Sequence, residues 1–160
     1  MGHLSILETR HQLWPDEAAC ASSAAALAQR PGIHLAFIEL RGPLGAGKTT
    51  FVRHLLHALG VTGRVKSPTY AVMEPYELPG RTPSHKAWHF DFYRFNDPQE
   101  WEDAGFRDVF ASPGLKLAEW PDKAAGLLPV ADLQIAIEPQ QGEQRSAEIT
   151  AHTALGRSLL

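Results

Sequence analysis

ELRGPLGAGKTTFVRHLLHALG, residues Glu39–Gly60, sets three glycines and a Lys-Thr-Thr between an apolar run and a helical pattern. Upstream, Leu35–Leu40 (LAFIEL) is almost continuously apolar, which predicts a buried central strand. Downstream, Phe51, Val52, Leu55, Leu56 and Leu59 recur at helical spacing, and Gly60 ends the run. The junction, Gly42-Pro43-Leu44-Gly45-Ala46-Gly47-Lys48-Thr49, fits G-x-x-x-x-G-K-[ST]. Each residue type in that pattern has a physical job. Glycines let the backbone curl so that successive N–H groups point at phosphate oxygens. A helix opening near Lys48 aims its positive end at the same point. The lysine bridges β- and γ-phosphates, the Thr49 hydroxyl ligates Mg²⁺, and Thr50 adds a hydroxyl for the α-phosphate. The bland alternative is a glycine turn beside a solvated lysine; the strand before it and the amphipathic helix after it argue against that.

The rest of the composition bounds the answer. A chain of 160 residues suits one compact domain spanning 1–160, and a hydrophobic fraction of 44% excludes disorder. A net charge of −3 gives no electrostatic footprint for DNA, and an RNA partner would need a second protein to hold it. Cys20 is the single cysteine, so no internal disulfide forms and a reducing compartment fits. No apolar run approaches the ~20 residues of a membrane helix. The opening MGHLSILETRHQ lacks the pattern of a secretory signal, so the expected location is cytoplasmic, without a membrane partner.

Along the chain, Ser5–Thr9 reads as a short strand. Pro15-Asp16-Glu17 opens an Ala-rich helix that stops at Pro31-Gly32. SPTYAVMEPYEL reads as a loop and then a strand, with Pro75 pointing to a sheet edge. PGRTPSHK is a turn-rich loop, and AWHFDFYRF an aromatic strand. DPQEWEDAGF opens a helix with Asp97 as cap and Pro98 at the first position. GLKLAEW is a short strand, PDKAAGLL a short helix, and DLQIAIE and RSAEITAH two late strands. Strands interleaved with helices predict an α/β fold: a single P-loop domain whose sheet is mixed, parallel and antiparallel, flanked by helices. The late strands are joined too closely for parallel crossovers.

A P-loop requires a carboxylate for its magnesium, usually at the end of a neighbouring strand. Asp91, in HFDFYR, is the best candidate; the alternative is a surface position with Phe90 and Phe92 turned inward. Ser67-Pro68-Thr69 offers two hydroxyls in a stiff loop that can sense a γ-phosphate, or is simply a strand entry. Glu119-Trp120 ends a strand, where a carboxylate can polarise water or bind metal, or cap the strand beside a core tryptophan. His54 with His57, and His85 with His89, have helical or strand spacing but no cysteines to complete a zinc site, so solvent-facing or satisfied histidines are the better reading. Arg94 suits a phosphate or a surface salt bridge. Trp88, Phe90, Phe92, Tyr93 and Phe95 read as core.

In this order, GPLGAGKTTF, VKSPTYAVMEPY, HFDFYR, EWEDAGFRDVF and LAEWPDK resemble the TsaE family, the small bacterial P-loop ATPases of tRNA threonylcarbamoyladenosine synthesis. The likeness runs from Pro15 to Ala151. It implies ATP and Mg²⁺ as cofactors, slow hydrolysis by the protein alone, and docking on the TsaB–TsaD heterodimer. That heterodimer moves threonylcarbamoyl onto A37 of tRNAs reading ANN codons, so tRNA is contacted only indirectly. By position, Gly42, Gly45, Ala46, Gly47, Lys48, Thr49 and Thr50 match the phosphate loop. Thr69 matches the switch threonine and Asp91 the Walker B carboxylate. Glu119 matches the glutamate near Mg²⁺ and the attacking water, and Trp120 its neighbour needed for turnover. Pro43 departs from the family's acidic residue, and the ELPGRTPSHK loop is longer and more basic than usual. For the adenine the candidates are the turn Leu13–Asp16 and the loop after Glu138. The rival readings are a small-molecule kinase, for which GRTPSHK is the one available lid, and a nucleotide-gated binding module with little hydrolysis.

Overall fold

The structure is a computed structural model that describes residues 5–68, 71–80 and 85–160. Seven strands form one sheet: β1 (Glu8–Trp14), β2 (Phe37–Arg41), β3 (Met73–Leu78), β4 (His85–Asp91), β5 (Leu115–Glu119), β6 (Leu133–Pro139) and β7 (Arg145–Ala151). Their spatial order is β1-β7-β6-β2-β5-β4-β3. The central four, β6-β2-β5-β4, run parallel. The flanks β7, β1 and β3 run antiparallel to their neighbours. The sheet is therefore mixed, as expected. β2 is its middle strand, and every one of its first four residues is buried. β3 is an edge, which is what Pro75 requires, since proline cannot donate to a second ladder.

Among the described residues five α-helices flank the sheet: α1 (Glu17–Ala28), α2 (Lys48–Ala58), α3 (Pro98–Asp103), α4 (Phe106–Ala111) and α5 (Ala154–Leu159). α1 begins where Asp16 accepts a hydrogen bond from the Ala19 N–H at 2.9 Å, a cap that contributes about 1 kcal/mol. Its buried residues, Cys20, Ala24 and Ala28, are small and four apart, so α1 lies close against α2. Asp97 caps α3 through the Gln99 N–H with Pro98 at the first turn.

Alternation along the strands divides the core in two. Leu115 and Leu117 of β5 join Ile38, Leu40, Ile135 and the α1 and α2 side chains on one face. Ala118 joins Phe37, Phe90, Phe92, Trp101 and Phe106 on the other, beneath α3 and α4. On that second face Phe90 meets Phe106 edge-on at 5.3 Å and Phe110 stacked at 4.8 Å. Such pairs add about 0.5–1.5 kcal/mol each beyond their buried area.

Several boundaries differ from expectation. The first strand is Glu8–Trp14 rather than Ser5–Thr9, because β7 supplies hydrogen-bonding partners as far as Trp14. The aromatic strand ends at Asp91 and does not continue to Phe95; the Phe92 N–H turns to the Glu119 carbonyl and Phe95 closes a turn onto Phe92. PDKAAGLL yields one 3₁₀ turn at Pro121–Ala124, and α4 and α5 carry too short a pattern to stand out from sequence. Residues 81–84 of the PGRTPSHK loop lie outside the described residues.

The end of the sheet opposite the glycine loop is tied by one carboxylate. Asp132 accepts from the Phe37 N–H at 2.8 Å and from the Thr153 hydroxyl at 2.6 Å, and Thr153 in turn caps α5. Asp132→Ala strands two donors at once and is expected to lower stability by about 2–3 kcal/mol, with Asp132→Asn intermediate, read as urea midpoints.

Candidate functional site

All four parallel strands end on one edge of the sheet, where an open α/β sheet holds its ligands. Gly42 leaves β2 at φ +146°, and a Cβ there would lie 2.4 Å from the Ile137 carbonyl oxygen, so only glycine fits. The chain re-enters a helix through Gly47 at φ +105°. No side chain caps α2. The Phe51 N–H is the first to bond within the helix, onto the Gly47 carbonyl, so the amides of Lys48, Thr49 and Thr50 have no acceptor in it. Arg145, at the start of β7, donates to the Ala46 carbonyl at 3.0 Å and braces the loop from the side.

Lys48 is 5% exposed. Its ammonium donates to the carbonyls of Gly42 and Pro43 and lies 4.2 Å above the centre of the Trp120 ring. Burial pushes its pKa below the ordinary lysine range, against the pull of Glu119 and Asp91. Trp120 is held for this contact in the left-handed region, φ +55° and ψ +49°, a conformation that costs a tryptophan about 1–2 kcal/mol. Tyr93 packs on its ring at 4.9 Å.

Glu119 ends β5, the strand beside β2, and is 3% exposed. The Thr49 hydroxyl donates to its carboxylate at 2.8 and 3.0 Å. The His89 Nε2 lies 2.6 Å from the same carboxylate. Asp91 faces Glu119 across the β4–β5 ladder. One Asp91 oxygen accepts from the Ser67 hydroxyl and the other from the Tyr93 N–H at 3.0 Å. Thr49, Ser67, Asp91, Tyr93 and Glu119 line a cavity of about 450 Å³ with Gly45, Lys48, Arg94 and Trp120, and His89 lies behind its wall. Thr49, Asp91 and Glu119 offer hard oxygen donors. Among the described residues no three His, Cys, Asp or Glu side chains converge as a cage. That donor set fits Mg²⁺, which takes one or two carboxylates and completes its shell with phosphate and water.

The predicted loop residues, Lys48, Thr49, Asp91, Glu119 and Trp120 thus meet in one place. Thr69 lies outside the described residues. One expectation is corrected. Asp91 is not on the strand next to β2; that strand carries Glu119, and Asp91 stands one strand further out. Phe90 and Phe92 do turn inward, yet Asp91 still faces the cavity, because the strand ends there. Tyr93 is exposed and belongs to the cavity wall rather than the core.

Sequence reasoning missed Arg145 and took His89 no further than a solvent-facing or satisfied histidine. His89 is fully buried against Glu119, and its only sequence signal was shared parity with Asp91 on β4. Arg145 left none, because its contact spans 99 positions. The two segments considered for a base prove to be neighbours. Trp14 and Asp16 from one, and Gly142, Glu143 and Arg145 from the other, line a cavity of about 310 Å³ beside Ala46, Gly47 and Thr50. Leu13 and Trp14 belong to β1 rather than to a turn. Cys20 lines the same cavity; burial, with Glu17 nearby, pushes its thiol up to about 11.

Comparison with known proteins bears on this arrangement. The family model described as "Threonylcarbamoyl adenosine biosynthesis protein TsaE" matches residues 14–147. The chain is 42% identical over 123 residues to the tRNA threonylcarbamoyladenosine biosynthesis protein TsaE of Haemophilus influenzae, covering 77% of this chain and 75% of that one. It is 36% identical over 137 residues to the protein of the same name in Bacillus subtilis, covering 86% and 81%. The crystal structure of Bacillus subtilis YdiB superposes with a TM-score of 0.76 at 25% identity, over 95% of this chain and 91% of that one.

The buried lysine makes stability depend on pH with a defined sign. Its folded-state pKa lies below the unfolded value, so above the folded value the unfolded chain holds more protons and stability rises with pH. Across the window just below the ordinary lysine pKa, the native protein is expected to gain urea resistance relative to Lys48→Met, and a flat difference would contradict a buried ammonium at this point.

Proposed function

Since the chain belongs to the TsaE family of tRNA threonylcarbamoyladenosine biosynthesis proteins, we propose that it is an ATPase serving tRNA threonylcarbamoyladenosine formation. It acts in the cytoplasm on ATP and Mg²⁺, in association with a TsaB–TsaD heterodimer that itself holds the tRNA. The observation that carries this reading is the Lys48–Thr49–Glu119 arrangement: a helix start whose first amides have no acceptor within the helix, a buried cation and a buried carboxylate on adjoining elements.

Each residue then has a task. The amides of Gly45 to Thr50 and the α2 N-terminus take the β- and γ-phosphates. Lys48 exchanges the carbonyls of Gly42 and Pro43 for phosphate oxygens, which costs little because those carbonyls return to solvent. Bound Mg²⁺ would neutralise charge on the same oxygens and draw on Thr49 and Asp91. Glu119 orients the attacking water, and Trp120 shields the reacting group while its ring faces Lys48. Ser67 and Thr69 report the γ-phosphate; the bond from Ser67 to Asp91 supports this by tying that segment to the metal carboxylate. ATP binding orders the segment and presents a docking surface; hydrolysis releases it. The adenine enters the cavity between Trp14 and Arg145, which adjoins the loop and has room for one base.

Two experiments test this reading. Lys48→Ala is expected to abolish nucleotide binding by calorimetry, whereas Glu119→Gln keeps it and loses roughly 10²–10⁴-fold in phosphate release, measured with TsaB, TsaD and tRNA present. Equal loss of ATP affinity in both variants removes Glu119 from its role. For the base, Cys20 is expected to alkylate slowly at pH 8, and more slowly still with ATP but not with tripolyphosphate; identical protection by both ligands would move the adenine elsewhere.

A further inference from the structure

We propose that His89 is the positioning residue for Glu119. The inference rests on the reading of Glu119 as the group that directs water. The His89 ring is wholly inaccessible to solvent, and its Nε2 sits 2.6 Å from the Glu119 Oε2. Among the described residues its Nδ1 is buried and finds no hydrogen-bond partner. A buried N–H without an acceptor costs more than a buried lone pair without a donor, so the proton belongs on Nε2, pointing at the carboxylate.

The geometry also shows why Glu119 needs a second anchor. Its two oxygens are held by Thr49 and His89, and Thr49 reaches both of them. Thr49 is also the hydroxyl that the P-loop pattern assigns to the metal. Once it turns to that task, the His89 N–H is what still fixes the carboxylate. His89 is carried by β4 and Glu119 by the adjoining β5, so their bond is framed by the ladder and independent of the phosphate loop. The carboxylate therefore keeps one oxygen pinned while the other faces the cavity, in both the empty and the loaded site. Removal of His89 leaves the loop amides and Lys48 untouched, so nucleotide affinity survives while the aim of Glu119 is lost.

The test pairs kinetics with a readout that needs no turnover. His89→Leu is expected to reduce kcat roughly 10–100-fold, with the dissociation constant for MgADP changed by less than about twofold. His89→Gln, which keeps an N–H of similar reach, restores part of the rate. In a Glu119→Gln background His89→Leu adds no further loss, as two residues acting through one group require. Ring ¹⁵N NMR of the unmodified protein is expected to show the Nε2–H tautomer with a slowly exchanging proton, with and without MgADP. An Nδ1–H tautomer, fast exchange, or additive losses in the double variant would overturn the proposal. If the native protein shows no ATP turnover at all while the NMR result holds, the ATPase reading falls and the His89–Glu119 anchor stands.

Discussion

Two opposite charges are buried at one edge of a parallel sheet, and the surrounding structure is arranged to keep them there. Lys48 and Glu119 are 5% and 3% exposed, on elements far apart in the chain. An isolated charge in such a place costs several kcal/mol unless it is hydrogen-bonded. Lys48 is answered by two loop carbonyls and an indole face, Glu119 by a hydroxyl and an imidazole. All of these partners are set by β2, α2, β4 and β5 together, so the central sheet must be complete before either charge is tolerable.

Some of the local costs of the fold fall at the same edge. A tryptophan sits in a left-handed conformation, a helix starts without a side-chain cap, and an imidazole nitrogen has no partner. Elsewhere α1, α3 and α5 are capped by Asp16, Asp97 and Thr153, whereas α4, like α2, starts at a glycine without a side-chain cap. At this edge these groups stand beside the amides of Lys48, Thr49 and Thr50, which have no acceptor within α2.

The two cavities share the phosphate loop as a common wall. Gly47 and Thr50 face both, one holding the carboxylates and the other Trp14 and Arg145. The Trp14 ring also stacks on Phe51, at 5.6 Å and nearly parallel, in the first turn of α2. The edge strand β1 is thereby coupled to the helix that follows the glycine loop, so the antiparallel flank of the sheet is part of the loop's support.

Much of this was legible locally. The strand before the glycines, the amphipathic helix after them, the Asp16 and Asp97 caps and the edge role of Pro75 all follow from short-range sterics and hydrogen bonding, which neighbouring residues specify. The phosphate loop itself is such a feature, because its curl depends on glycine φ angles and its charge on one lysine. Strand order is different. That β5 lies between β2 and β4, placing Glu119 next to the loop and Asp91 one strand away, depends on contacts among segments dozens of residues apart. The burial of His89, the reach of Arg145 and the meeting of Trp14 with Gly142 depend on the same contacts. The sequence by itself determined a glycine loop of the G-x-x-x-x-G-K-[ST] pattern between a buried strand and an amphipathic helix, and the polar residues that could accompany it. Only the tertiary structure decided which carboxylate stands nearest and what holds it, because hydrogen-bonded strands are neighbours in space without being neighbours in the chain.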